Sequence, residues 1–277
     1  MIKPVLRKIK RIVNKQKNDG SFVSKYPILL DNLNKILKNT TSARTPYAWG
    51  VLSGVDLAQT LGLKKVSVIE FGVAGGTGLV SLEQIAEIVQ EMYDIKIEVY
   101  GFDTGKGLPK PTDYRDLPQM WNEGAFSMDI EKLKKQLTKA KLIIGDIKDT
   151  IDEFLSSEPA PVAFIAFDID LYTSTMNAFK LLKANDTYLL PRVNCYFDDI
   201  MGYSYGDFNG ERLAISDFNN TNEKRKISQV YNLKYYLPGH EGMWNDKFFM
   251  AHIFDHKLYA INDGLLINSE MYLEVDE

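Results

Sequence analysis

Polar and apolar positions along the chain fall into two regimes. In the first 17 residues, MIKPVLRKIKRIVNKQK, apolar side chains recur at Ile2, Val5, Ile9, Ile12 and Val13 with lysines and arginines between them. That is the spacing of a basic amphipathic helix. From residue 51 short apolar runs alternate with stretches of helical period. Seven strands are expected, over 66–72, 97–103, 141–146, 162–168 and 193–199 and near 228–237 and 247–255. Helices are expected over 77–93, 127–139, 149–156, 172–184 and 210–224. Strands that alternate with helices predict an α/β domain, a parallel sheet with helices on both faces. It would occupy residues 51–277 behind a basic helical N-terminal extension of residues 1–50. Periodicity leaves the strand order open.

Composition removes several classes. Hydrophobic residues make up 45% and charged residues 25%, a globular mixture rather than a disordered one. The densest apolar run, PVAFIAF, is far shorter than the roughly 18–20 residues of a membrane span. The N-terminus lacks the unbroken apolar stretch of a secretory signal, so a cytoplasmic location is expected. Cys195 is the single cysteine, which excludes an intramolecular disulfide and a cysteine-based metal site. Three histidines leave room for one catalytic His but argue against a polyhistidine centre. The net charge of −4 argues against nucleic acid as a partner. Charge is uneven: residues 1–50 hold eleven Lys/Arg and two acids, and the remainder is net acidic by thirteen. The basic helix over 1–17 can pack on its own domain or on a second subunit of a homo-oligomer. Alternatively it contacts an anionic surface, placing the protein at the inner face of a membrane or against a lipid-linked substrate.

Chemistry concentrates where expected strands end. Glu70-Phe71-Gly72-Val73-Ala74-Gly75-Gly76-Thr77-Gly78 joins a strand to a helix, where glycines let backbone N–H groups approach a ligand. The dinucleotide pattern GxGxxG fails at Ser81, and no Lys-Ser/Thr completes a phosphate loop. Asp103 ends the next strand, where a carboxylate can accept from both hydroxyls of a ribose or cap the turn of FDTG. Asp168 ends a later strand, and Asp198 and Asp199 end the one after it. If those strands adjoin, three carboxylates converge, and a cation such as Mg²⁺ relieves their repulsion; the competing reading is helix caps and salt bridges. Asp170 is expected to face the other way and to organise the helix start at Tyr172.

The segments EFGVAGGTG and GFDTGKGLP resemble the class I S-adenosylmethionine-dependent methyltransferases. More narrowly they resemble the macrocin O-methyltransferase family, which methylates sugar hydroxyls on macrolides. The same resemblance extends to Asp168-Ile169-Asp170-Leu171-Tyr172-Thr173-Ser174-Thr175 and to Asp198-Asp199, and it covers residues 66–220. Gly105-Lys106 departs from the family pattern, as does Leu190-Pro191-Arg192 in place of a glycine turn. The resemblance implies a Rossmann-like class I methyltransferase fold with a mostly parallel seven-stranded sheet, and S-adenosylmethionine as cofactor, with Glu70, Gly72, Ala74, Gly76, Asp103, Thr104, Asp146, Ile147 and Asp168 around it. It also favours a divalent cation, Mg²⁺ or another, on Asp168, Asp198 and Asp199; a carboxylate beside that cation can take the hydroxyl proton, so Asp168 can serve as both ligand and base.

His240, in PGHEGMW, is the candidate base among the histidines, or else an exposed loop residue; His252 and His256 are expected to be structural. Residues 201–208, MGYSYGDF, suit either a loop covering the substrate or turn-and-core packing. Trp121, in the long segment 105–126, is placed to approach from the other side. The expected reaction is metal-assisted methyl transfer to a hydroxyl, of a sugar in a glycoside, glycolipid or polysaccharide. The competing readings are a methyltransferase for a catechol-like phenol, a non-catalytic binding protein that keeps the fold, and a nicotinamide oxidoreductase.

Overall fold

In the computed structural model, residues 25–261 are described. The expected basic helix over 1–17 lies outside them. No helix among the described residues is long and apolar enough to cross a membrane.

Two helices precede the sheet, α1 (Tyr26–Asn39) and α2 (Thr45–Thr60). The sheet and its connections follow in the order β1 (Lys65–Phe71), α3 (Thr77–Tyr93), β2 (Lys96–Asp103), α4 (Ile130–Lys134), β3 (Lys141–Ile144), α5 (Ile147–Ser156) and β4 (Val162–Phe167). Then come α6 (Tyr172–Ala178), β5 (Leu189–Phe197), α7 (Gly210–Thr221), β6 (Arg225–Gln229), α8 (Leu233–Tyr236) and β7 (Phe248–Ile253). The seven strands lie in the order β3-β2-β1-β4-β5-β7-β6. All neighbouring pairs are parallel except those of β7, which runs antiparallel to β5 and β6. This is the doubly wound, mostly parallel seven-stranded sheet expected of the class I methyltransferase fold.

Every residue of β4 is buried, as a central strand covered on both faces must be. One cover is α2, which approaches closely because it carries glycines. A Cβ on Gly50 would fall 2.2 Å from the Phe164 ring, and one on Gly54 would fall 2.8 Å from the Ala163 carbonyl oxygen. Asn194 fastens this helix to β5 by donating to the Gly50 carbonyl (3.0 Å) and to Ser53 Oγ (2.9 Å). Residues 50 and 51, the expected boundary between extension and domain, are consecutive residues of α2.

Four phenylalanines set the floor of the site. Phe71, Phe102, Phe167 and Phe197 end or nearly end β1, β2, β4 and β5, and the sheet register pairs Phe71 with Phe102 and Phe167, and Phe167 with Phe197. Their rings form a continuous layer, with Phe167 and Phe197 stacked at 4.5 Å. Each strand therefore hands its next residue to the same edge: Gly72, Asp103, Asp168 and Asp198.

Several expected elements differ in extent. The strand expected over 193–199 starts at Leu189, so Pro191 and Arg192 lie within it. A register shift between Val162 and Phe164 on β4 accommodates the proline's missing N–H. The strand expected near 228–237 is β6, Arg225–Gln229, and Asn232 at φ +63° turns the chain into α8 instead. The helix expected over 127–139 shrinks to α4, and that over 172–184 to α6 followed by a 3₁₀ turn at Leu181–Lys183.

Candidate active site

A cavity of 380 Å³ opens at the C-terminal edge of β1, β2 and β4, within the usual size range of small-ligand sites. Glu70, Gly72, Ala74, Gly76, Asp103, Thr104, Asp146, Ile147, Asp168, Asp198 and Asp199 all line it. His240 is not among the residues that line it; its carbonyl accepts from Trp244 Nε1. His252 bonds Tyr259 and His256 accepts from the Leu258 N–H, both structural contacts.

The glycine loop is held from below. Asp103 Oδ2 accepts from the N–H groups of Val73 and Ala74, both at 2.9 Å, and Oδ1 accepts from Gly105 N at 2.7 Å. Ala74 has φ +45°, an uncommon region for a non-glycine residue, and these bonds stabilise it. Asp103 thus shapes the loop, and its remaining lone pairs are what it can offer a ribose. Thr104 Oγ1 closes the next turn by donating to the Gly107 carbonyl at 2.7 Å. Asp146 caps α5 by accepting from Lys148 N at 2.9 Å, which places Ile147 at the cavity wall.

Glu70 is buried at the base of the loop. Its Oε1 accepts from Tyr47 OH at 2.6 Å and lies against Gly78 at the start of α3, whereas Oε2 has no partner. Burial pushes its carboxyl up to about 8, against the pull of the Tyr47 hydrogen bond and Arg44. Arg44, just before α2, donates from Nη1 to Tyr47 OH at 3.2 Å and sits 3.7 Å from Asp168 Oδ2.

Beside this lies an acidic cluster. One carboxylate oxygen each from Asp168, Asp198 and Asp199 fall within 4.8 Å of one another. Asp170 joins them: at φ +56° it turns into the cavity, and its N–H donates to Asp199 Oδ2 at 3.2 Å. The expectation that Asp170 faces away fails because the left-handed residue breaks the alternation of an extended segment. Sequence reading also missed Glu211 in the first turn of α7, fully buried, with Oε2 accepting from Asp199 N at 3.1 Å and Oε1 unpartnered. Lys247 Nζ lies 3.1 Å from Asp198 Oδ1 and bonds the Asp198 carbonyl.

Burial, then Asp199 and Asp198, hold Asp168 up at about 7. Burial, then Asp168, does the same for Asp170. Asp199 is pushed up by burial and Asp170, and Glu211 by burial and Asp199. Converging hard oxygen donors, short of positive charge and with an orphaned buried oxygen behind them, fit a divalent cation.

The segment after β2 covers the cavity from the other side. Trp121 and Phe126 line it, edge to face with centroids 5.7 Å apart. The fully buried Asp116 fixes the segment, accepting from Thr112 N and Oγ1 and, across the chain, from Thr173 N (2.8 Å) and Oγ1 (2.9 Å) at the start of α6. By contrast, residues 201–208 line none of the cavity, and Tyr203 and Phe208 are exposed.

No protein-family model matches the chain, and no curated protein matches it by sequence. Among solved structures it is similar to CalS11, a calicheamicin methyltransferase, at 20% identity over 83% of this chain and 92% of that one, with a TM-score of 0.49. It is also similar to an O-methyltransferase from Bacillus cereus in complex with SAH, at 14% identity over 80% and 90% of the two chains and a TM-score of 0.40. A third is MycE, a methyltransferase of the mycinamycin biosynthetic pathway in complex with Mg, SAH and mycinamycin VI, at 14% identity over 70% of this chain and 47% of that one, TM-score 0.36. Likenesses this distant assign no activity.

Proposed function

We propose that this chain is an S-adenosylmethionine-dependent O-methyltransferase that acts on a sugar hydroxyl with the help of a divalent cation. The observation that carries the reading is the charge of the cavity. Seven carboxylates line it, from Glu70, Asp103, Asp146, Asp168, Asp170, Asp198 and Asp199, against one cationic side chain, Arg44. A pyrophosphate would find a single cation to balance its charge there, which disfavours nicotinamide and nucleoside-phosphate ligands. A sulfonium and a divalent cation are attracted. The glycine loop and Asp103 suit the adenosine half of such a cofactor, and Asp168 belongs both to the cavity lining and to the acidic cluster.

S-adenosylmethionine would supply the methyl group, and the residues present fit it. Asp168, Asp198 and Asp199 would hold the cation, which lowers the pKa of an acceptor hydroxyl. Asp168 and Asp170 both face the cavity and can take the hydroxyl proton. Trp121 and Phe126 offer rings against which a sugar or a flat phenol can lie, so a catechol-like acceptor is the second reading. Much of the rate would come from alignment, since methyl transfer is an in-line displacement.

The test is a methyl-transfer assay against sugar and catechol acceptors with and without chelator. EDTA is expected to silence the protein and Mg²⁺ to restore it. Asp198→Asn and Asp199→Asn should each lose roughly 100-fold or more in rate, the scale of removing one charge-stabilising group, while still binding S-adenosylhomocysteine. Full activity in EDTA would make the cluster structural.

A further inference from the structure

We propose that Arg44 anchors the α-carboxylate at the amino-acid end of the cofactor; this rests on the methyltransferase reading above. S-adenosylmethionine and S-adenosylhomocysteine each carry one anionic group, that carboxylate. In a cavity walled by seven carboxylates it needs a cation, and Arg44 is the cationic side chain among the lining residues.

The guanidinium is built to receive it. Nη1 donates to Tyr47 OH, and the group lies over the Tyr47 ring at 5.2 Å, so its plane is held. Its contact with Asp168 is 3.7 Å, beyond hydrogen-bond length. Nε and Nη2 make no hydrogen bond to the described residues, and the side chain is 36% exposed. A planar fork with open donors matches a carboxylate's two oxygens.

The usual alternative for an anion is the N-terminus of a helix. Here that position at α3 is taken: Glu70 Oε1 sits so close to Gly78 that a Cβ there would fall 1.9 Å from it. A second carboxylate at that end would meet Glu70 first. Oε2 of Glu70 is buried without a partner, and Glu70 lines the same cavity as Arg44, so a ligand ammonium would find an acceptor there while Arg44 takes the carboxylate. Sequence gives no sign of this, because Arg44 lies in the expected N-terminal extension rather than near any strand end.

The experiment compares two molecules that differ by that end. S-adenosylhomocysteine has the amino-acid group; 5′-methylthioadenosine keeps the adenosine and thioether and lacks it. Titration calorimetry of the full chain should show that Arg44→Met weakens S-adenosylhomocysteine by at least about tenfold, the scale of a charge-assisted bidentate pair. Affinity for 5′-methylthioadenosine should stay within about twofold, which also reports that the variant is folded. Arg44→Lys, with the charge but not the fork, should fall between. Equal weakening of both molecules, or of neither, overturns the assignment. A wild-type protein that binds neither molecule overturns the cofactor reading, and the role of Arg44 with it.

Discussion

Gly72 and Gly75 lie three residues apart on one loop, yet a side chain meets different things at each. A Cβ on Gly72, at φ +85°, would fall 1.7 Å from the carbonyl oxygen of Asp168, where β1 and β4 end side by side. Gly72→Val therefore breaks the sheet edge rather than merely filling the cavity. A Cβ on Gly75 meets nothing within 4 Å, and its φ is not positive. Gly75→Val is expected to fold with a wild-type melting temperature while S-adenosylhomocysteine affinity falls by about tenfold or more, since the loop's value is close backbone approach. Gly72→Val is expected to lose several kcal/mol, on the order of 3 or more, through overpacking against backbone. Calorimetry and thermal denaturation of the two variants separate the effects, and a Gly75→Val protein with undiminished affinity removes this loop from the cofactor site. Asp103 would show the same doubling of roles, because the carboxylate proposed to take a ribose also carries the loop's N–H groups.

Among the elements, α6 and the segment covering the cavity depend on each other. The residue before α6, Leu171, offers no side-chain cap, and Asp116 supplies one from 57 residues away, accepting from Thr173 N. Arg115 adds its guanidinium over the Tyr172 ring at 4.5 Å. Asp116→Ala leaves the N–H of Thr173 without its acceptor and frees the segment that carries Trp121. We expect a stability loss of about 2–3 kcal/mol, the scale of hydrogen bonds to a buried charge, together with a raised KM for the acceptor. Thermal denaturation and steady-state kinetics read the two effects, and Asp116→Asn, which keeps some acceptor capacity, should recover part of both. This pairing also marks what sequence could show. The strands were legible because each is a short apolar run, and their acidic ends because a Phe-Asp pair stands at the end of β2, β4 and β5. Residues brought in from a distance were not: Asp116, Arg44, Glu211 and Lys247 belong to a turn, a loop and element termini whose positions only the folded chain defines. His240, which does not line the cavity, posed the same difficulty, since a loop histidine carries no mark of where its loop lies. Asp170 was missed because a single left-handed residue reverses the facing that alternation predicts.

For the whole molecule, the acidic edge is a stored instability that a cation can release. Asp168 and Asp170 are held up at about 7 and Glu70 at about 8, while Asp199 and Glu211 are also pushed upward. The groups facing them include Asp103, Asp198, Tyr47, Tyr205, Arg44 and Lys247, too few positive charges to balance the set. In the unfolded chain the same carboxyls titrate near about 4. Between about pH 4 and the raised folded values, the folded state therefore holds more protons than the unfolded one. Stability then falls as pH rises through that window, because its slope follows the excess of protons in the unfolded state, here negative. A divalent cation needs the ionised carboxylates, so its binding displaces those protons and strengthens as pH rises. Without metal, the melting temperature is expected to drop between about pH 6 and about pH 8; with saturating Mg²⁺ the drop should shrink, and the metal's stabilising shift should be larger at the higher pH. Asp199→Asn removes one of the repelling charges, so it should flatten the metal-free profile and reduce the Mg²⁺ shift together. Differential scanning calorimetry in EDTA and in Mg²⁺ across this range makes the measurement without any acceptor. A metal-free protein that grows more stable from about pH 6 to about pH 8 would show that these carboxyls are ionised in the fold by partners of their own, and the case for a cation at this edge would go with it.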